Sequence, residues 1–160
     1  MNIVEGDLLE MAHRGSFDVI VHGCNCFCIM GAGIAAKIKK LWPDAYKADL
    51  KTKAGDKTKL GTFTFALAPD VNNLMFTIIN AYTQYDMSRY GRDVFEYDAF
   101  QKILNSLSTN PILNGANFGF PMIGMGLAGG CKERIVSMLE DFSKKIEMHG
   151  GSVTLVDFKP

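Results

Sequence analysis

Two glycine-bearing segments hold the residue types and spacings most suited to chemistry. The first runs His22-Gly23-Cys24-Asn25-Cys26-Phe27-Cys28-Ile29-Met30-Gly31-Ala32-Gly33-Ile34, and the second Pro121-Met122-Ile123-Gly124-Met125-Gly126-Leu127-Ala128-Gly129-Gly130. Each contains a G-x-G triplet and lies between a strand-like run and a helical one. Glycine tolerates positive φ and lets a ligand approach the backbone closely. Successive amides in such a loop, at a helix N-terminus, form a concave anion site. Tight helix–strand packing uses the same residue type and is the plainer alternative. Neither loop matches the phosphate-loop pattern, since no Lys-Ser/Thr follows the glycines, and neither fits G-x-G-x-x-G. Two loops of this kind in one short chain predict a clamp for an anion of diphosphate size, with no metal or cofactor expected.

His22 closes the apolar run FDVIVH. An imidazole titrates near neutral pH, which suits acid–base work, whereas a strand histidine can equally be buried and hydrogen-bonded to a carbonyl. His22, Cys24, Cys26 and Cys28 alternate and on a strand would share a face. Ligands two apart on a strand stand about 7 Å from one another and do not converge on a tetrahedral ion. The cysteines therefore read as buried thiols. Cys131 begins a helical stretch, where a helix dipole lowers a thiol pKa. Asp7 precedes a helical stretch and can cap it.

Positioning these groups takes a succession of strands and helices. Residues 2–4 are a short apolar start, and residues 8–13 form helical turns stopped by Gly15. Residues 17–22 read as a strand covered on both faces. Ile34, Ile38 and Leu41 share one face of a helix that Pro43 ends, and Asp44 caps the next helix. Residues 62–67 alternate like a half-buried or edge strand, and 74–82 read as a buried one. Tyr97, Phe100, Ile103, Leu104 and Leu107 form a helical stripe. Residues 117–121 are a short strand. Ile135, Met138, Leu139, Phe142 and Ile146 mark the last helix, and 153–158 the last strand. Tyr85, Arg89, Tyr90 and Arg92 occupy a long loop that reads as a lid over a ligand site or as a packed surface loop. The alternation implies an α/β domain with a mixed sheet between helical layers.

Composition sets the outer bounds. At 160 residues the chain makes one domain, 1–160. Lys+Arg and Asp+Glu are both 17, so formal net charge is zero, unlike the basic balance of most nucleic-acid binders. Hydrophobic content of 48% with 21% charged residues excludes a disordered or coiled-coil chain. No apolar run reaches the roughly 18 residues of a membrane span, and the start MNIVEGDLLE has no secretory h-region. We expect a cytoplasmic protein with reduced thiols, no membrane partner, and a monomer. Eight lysines against three aspartates from residue 37 to residue 59 suit a solvated face better than a nucleic-acid surface.

Taken in order, Gly6-Asp7-Leu8-Leu9, the strand end Val21 to Asn25, Met30-Gly31-Ala32-Gly33-Ile34-Ala35 and Ile123-Gly124-Met125-Gly126-Leu127-Ala128-Gly129-Gly130 resemble the macrodomain, the ADP-ribose-binding module, over essentially the whole chain. The His-x-Cys-Asn and M-G-x-G-I-A wording is similar to the ADP-ribose 1″-phosphate phosphatase-like branch, which includes bacterial and bacteriophage proteins. The resemblance implies a three-layer α/β/α domain with a central mixed, mostly parallel six-stranded sheet and ADP-ribose in a cleft above it. It implies that Asp7 accepts from the adenine 6-amino group, that the Leu8 amide meets the ring, and that Phe158 walls the adenine. Asn25 and Met30, Gly31, Ala32, Gly33 and Ile34 would face the distal ribose and diphosphate. Gly124, Met125, Gly126, Leu127 and Ala128 would wrap the diphosphate from the other side, and His22 would be the catalytic group of a hydrolase. The chain departs from relatives that remove ADP-ribose from acidic side chains. No Lys follows the fourth strand (residues 79–86, INAYTQYD), and Ala128 stands where their Asp falls. Cys131 replaces the acid of the branch's G-L-A-G-G-D. A non-catalytic ADP-ribose reader, or a hydrolase acting on ADP-ribosylated protein or nucleic acid, are the alternative functions.

Overall fold

The computed structural model describes residues 1–87 and 93–159. Along them run β1 (Asn2–Gly6), α1 (Leu8–His13), β2 (Val19–Cys24), α2 (Gly33–Leu41), α3 (Pro43–Leu50), β3 (Phe63–Pro69), β4 (Met75–Tyr82), α4 (Tyr97–Ser108), β5 (Asn117–Pro121), α5 (Lys132–Met148) and β6 (Ser152–Phe158). The six strands form one sheet in the order β1-β6-β5-β2-β4-β3. All neighbours are parallel except β3, which pairs antiparallel with β4 at the edge. The apolar runs and the alternating run at residues 62–67 thus do what their patterns predict. The buried runs lie inside the sheet and the alternating one at its rim.

Strand side chains alternate between two cores. Val19, Val21, Ile79, Phe118, Phe120 and Leu155 meet α4 and α5 through Phe100, Leu104, Leu139 and Phe142. Ile20, Ile78 and Val156 meet α1, α2 and α3 through Leu8, Ile38 and Ala45. The result is the three-layer α/β/α arrangement.

Parallel pairing sets Gly6 beside Phe158, Pro121 beside Val156 and Cys24 beside Tyr82. The carboxyl ends of five strands therefore share one rim. The chain leaves β2 for α2 on one face and leaves the adjacent β5 for α5 on the other. A crevice opens where connections diverge in this way.

Three local expectations are corrected. The second strand starts at Val19 and extends to Cys24, two residues later than the run FDVIVH suggested. Asp44 caps nothing: Pro43 is the first residue of α3, its φ preset for a helix start, and Asp44 sits in the first turn, facing Lys47 at 3.5 Å. Leu41 does not join Ile38 in the core but is 56% exposed, because α2 ends there and the chain turns into α3. Among the described residues no helix is long and apolar enough to cross a membrane.

Candidate functional site

Above the shared rim lie two joined chambers. One, of about 310 Å³, is lined by Asp7, Leu8, Lys37, Met122, Asp157 and Phe158, among others. The second, of about 560 Å³, is lined by residues of both glycine loops, including Asn25, Gly31, Ala32, Gly126, Leu127 and Ala128. Gly33 and Ile34 belong to both and form the ridge between them.

At the smaller chamber, Asp7 follows β1 and caps α1: its Oδ1 accepts from the amides of Leu9 at 3.0 Å and Glu10 at 3.2 Å. Oδ2 has no protein partner among the described residues, so one carboxylate oxygen holds the helix while the other is open to a ligand. Phe158 ends β6 on the opposite wall, half exposed, with the Lys37 ammonium 4.6 Å from its ring centroid. Lys37 was not anticipated as a lining residue. Helical phase alone places it one turn beyond Gly33, on the same face.

At the larger chamber, two sets of backbone amides stand unsatisfied. Among the described residues the amides of Gly31, Ala32, Gly126, Leu127 and Ala128 donate to no protein acceptor, and the first turn of α2 adds those that every helix start leaves open. Gly33 has φ 57°, the left-handed turn that brings the chain into α2. The first loop is braced from behind. Cys26 N donates to Tyr85 O at 2.8 Å, Gly55 N to Cys26 O at 2.8 Å, and Asn25 Nδ2 to Ile29 O at 2.9 Å, while Asn25 Oδ1 accepts from Phe27 N. Asn25 therefore shapes its own loop as well as lining the chamber. In the second loop Gly124 has φ 72°, its carbonyl accepts from Gly130 N, and a Cβ there would strike the Phe95 ring. Gly126 differs: its φ is ordinary, and an added Cβ would meet no protein atom.

Four expected residues do not line the cleft. Met30 is buried under α2 as part of the core. Gly124 and Met125 shape the second loop from beneath it. His22 is fully buried: it shares the parity of Ile20, faces the α1–α3 layer, and lies two residues inside the end of β2. Its Nε2 lies 2.7 Å from Asn80 Oδ1, and Asn80 Nδ2 donates to Ala45 O and Thr64 Oγ1. Burial lowers the His22 pKa to about 4, so the ring is neutral at pH 7.

Cys24 does reach the larger chamber, and with His22 and Asn80 it superficially resembles a nucleophile, base and orienting amide. The electrostatics run the other way. Its Sγ lies 3.7 and 3.9 Å from the two ring nitrogens, too far for strong proton transfer, and burial together with the Asp49 charge raises the thiol pKa further. An activated pair needs the opposite shifts. Cys26 and Cys28 lie beyond the strand, so the alternation does not continue. All three thiols are buried, as read from the sequence, while Cys131 is exposed. Among the described residues no group of three His, Cys, Asp or Glu is placed to hold a metal. Lys59 is not on a solvated face: it is buried, donating to Cys26 O at 3.1 Å. Tyr90, Arg89 and Arg92 lie outside the described residues.

No family model matches the sequence. The chain is 31% identical over 161 residues to an uncharacterized 17.5 kDa protein of Enterobacteria phage T4 from the tk-vs intergenic region, covering 98% of this chain and 96% of that protein. A macrodomain protein from Streptomyces coelicolor superposes with a TM-score of 0.71 at 24% identity, over 98% of this chain and 97% of that one. The chain belongs to one family with the phage T4 protein, and its fold is that of the macrodomains. The same macrodomain fold recurs, at a TM-score of 0.71 and 19% identity, in Thermosipho africanus DarTG, solved in complex with ADP-ribose; 98% of this chain matches 42% of that one. A shorter match, 42% identical over 48 residues, links 29% of this chain to 26% of an ADP-ribose 1″-phosphate phosphatase from Meyerozyma guilliermondii.

Proposed function

We propose that this macrodomain binds ADP-ribose, with adenine between Asp7 and Phe158 and the diphosphate against the two glycine loops. The observation that carries the reading is the set of unsatisfied amides at Gly31, Ala32, Gly126, Leu127 and Ala128. They line a chamber continuous with one that offers a free carboxylate oxygen and an aromatic wall. Gly31, Ala32, Gly126 and Leu127 are exposed, so water serves their amides, and a diphosphate replaces that water on converging donors without a metal.

The reading is capture rather than turnover. The described lining of the larger chamber holds no carboxylate, imidazole or ammonium, and its one titratable group, Cys24, is a neutral thiol. A second reading, hydrolysis of ADP-ribose 1″-phosphate, draws support from the matched segment of the yeast phosphatase. In that case the loops would orient the phosphate and water alone would attack it. Both are tested on one sample by calorimetric titration with ADP-ribose in EDTA and by phosphate release from ADP-ribose 1″-phosphate. We expect saturable binding that survives the chelator and phosphate release at the rate of buffer. Release above buffer that ADP-ribose inhibits replaces capture with hydrolysis. Absence of binding overturns both.

A further inference from the structure

A third depression, of about 470 Å³, adjoins the smaller chamber on the side away from the glycine loops. Asp7, Leu9 and Lys37 belong to both, so the three spaces form one groove with the Asp7 chamber in the middle. The wall of this third space carries both signs of charge, with Lys37 and Lys40 beside Asp7 and Glu10. Lys37 and Lys40 are one turn apart on α2 and face the same way, and His13 stands across from them. Neither lysine has a carboxylate partner among the described residues. Of the two acids, Glu10 pairs with Arg14 at 2.5 Å, and Asp7 holds α1 through Oδ1 and leaves Oδ2 for the adenine of the adjoining chamber. The adjacent Lys39 instead lies over the Tyr46 ring, on the other side of the helix. The floor is apolar. Trp42 is buried against Phe76, and Leu41, the residue that helical periodicity would have sent to the core, is left open beside it.

Two unpaired ammonium groups above an apolar floor suit a phosphate carried on a sugar or nucleotide. We infer that this depression is a second anion site, taking a phosphate group attached to the adenosine half of an ADP-ribosyl ligand. The inference rests on the proposed placement of adenine beside Asp7. It makes the ligand of this protein an ADP-ribosyl unit that continues past its adenosine, ending in a phosphate monoester or running on as a phosphodiester.

The experiment compares three ligands by titration at low salt: ADP-ribose, ADP-ribose 2′-phosphate, and ADP-ribose bearing a nucleotide through a 3′-phosphodiester. Two partly exposed lysine–phosphate contacts are worth about tenfold in affinity. We expect one or both phosphorylated ligands to bind about tenfold tighter than ADP-ribose, and the favoured one identifies the monoester or the chain. Lys40→Ala should cut that gain to about threefold, Lys37 keeping its share, while leaving ADP-ribose itself unchanged, because Lys40 lines neither of the other two chambers. Lys40 is exposed, so the variant keeps the fold. Equal affinities for all three ligands, or a gain that Lys40→Ala leaves intact, overturns the second site alone. Failure of ADP-ribose to bind overturns the placement of adenine and this inference with it.

Discussion

Asp7 carries two jobs on one carboxylate. Oδ1 caps α1, and Oδ2 borders the smaller chamber. Substitution can separate them. Asp7→Asn keeps an oxygen for the cap but turns the other position into a donor, which repels the adenine 6-amino group. A hydrogen bond to a charged acceptor is worth about 1.5–3 kcal/mol. Asp7→Asn should therefore melt close to the parent and lose roughly tenfold or more in ADP-ribose affinity, with ribose 5-phosphate binding unaltered. Asp7→Ala should show the same loss and in addition cost about 1 kcal/mol of stability from the missing cap. Titrations with both ligands and thermal melts decide it. An Asp7→Asn protein that binds ADP-ribose like the parent reduces Asp7 to a cap. The cap was legible beforehand, because capping depends on residues within one turn; the adenine role was implied only by the family resemblance.

At the scale of the loop, two glycines that look alike in sequence do different work. Gly124 is held at φ 72° under the Phe95 ring, so a side chain there clashes with the core and strains the backbone. Gly126 has neither constraint, and its Cβ would project into empty cleft. Gly126→Val should leave the melt within about 1 kcal/mol of the parent, as open surface changes do, and abolish ADP-ribose binding by filling the diphosphate space. Gly124→Val should cost about 3 kcal/mol or more, from positive φ and overpacking together. Melting and titration of the two variants side by side give the readout. A Gly126→Val protein that still binds places the diphosphate elsewhere. The sequence marked both loops through their composition, but only the folded chain shows which glycine supports the loop and which faces the ligand.

For the molecule as a whole, His22 contributes to stability rather than chemistry. It ties the centre of the sheet to α3 through Asn80 and Ala45. Its pKa is near 4 when folded and 6.5 when exposed. The unfolded chain therefore binds the proton first as pH falls. The stabilising effect of the neutral ring is complete above pH 6.5 and is lost progressively down to about pH 4. By pH 5 the loss amounts to roughly 2 kcal/mol of unfolding free energy. Urea unfolding at pH 7.5 and pH 5 should show that decline in the parent, and His22→Gln should remove it. The other two histidines, His13 and His149, are common to both proteins and cancel. Identical declines would mean that His22 does not hold its ring neutral in the fold.

By itself the sequence determined the order and type of the elements, the cap on α1, the alternation of β3 and the two glycine loops. Each of these depends on neighbours within a few residues: period, cap chemistry or glycine spacing. The tertiary structure alone decided which side of the sheet each side chain meets and what a turn leaves exposed. Register opposite Asn80, two residues short of the end of β2, set His22 toward Ala45 rather than the cleft that Cys24 reaches. The α2–α3 turn left Leu41 outside, packing placed Met30 beneath α2, and the contact with the Cys26 carbonyl drew Lys59 inward. The groove itself is a product of parallel pairing. Strand ends as distant in sequence as Gly6 and Phe158 become neighbours only through sheet register, which no local pattern encodes.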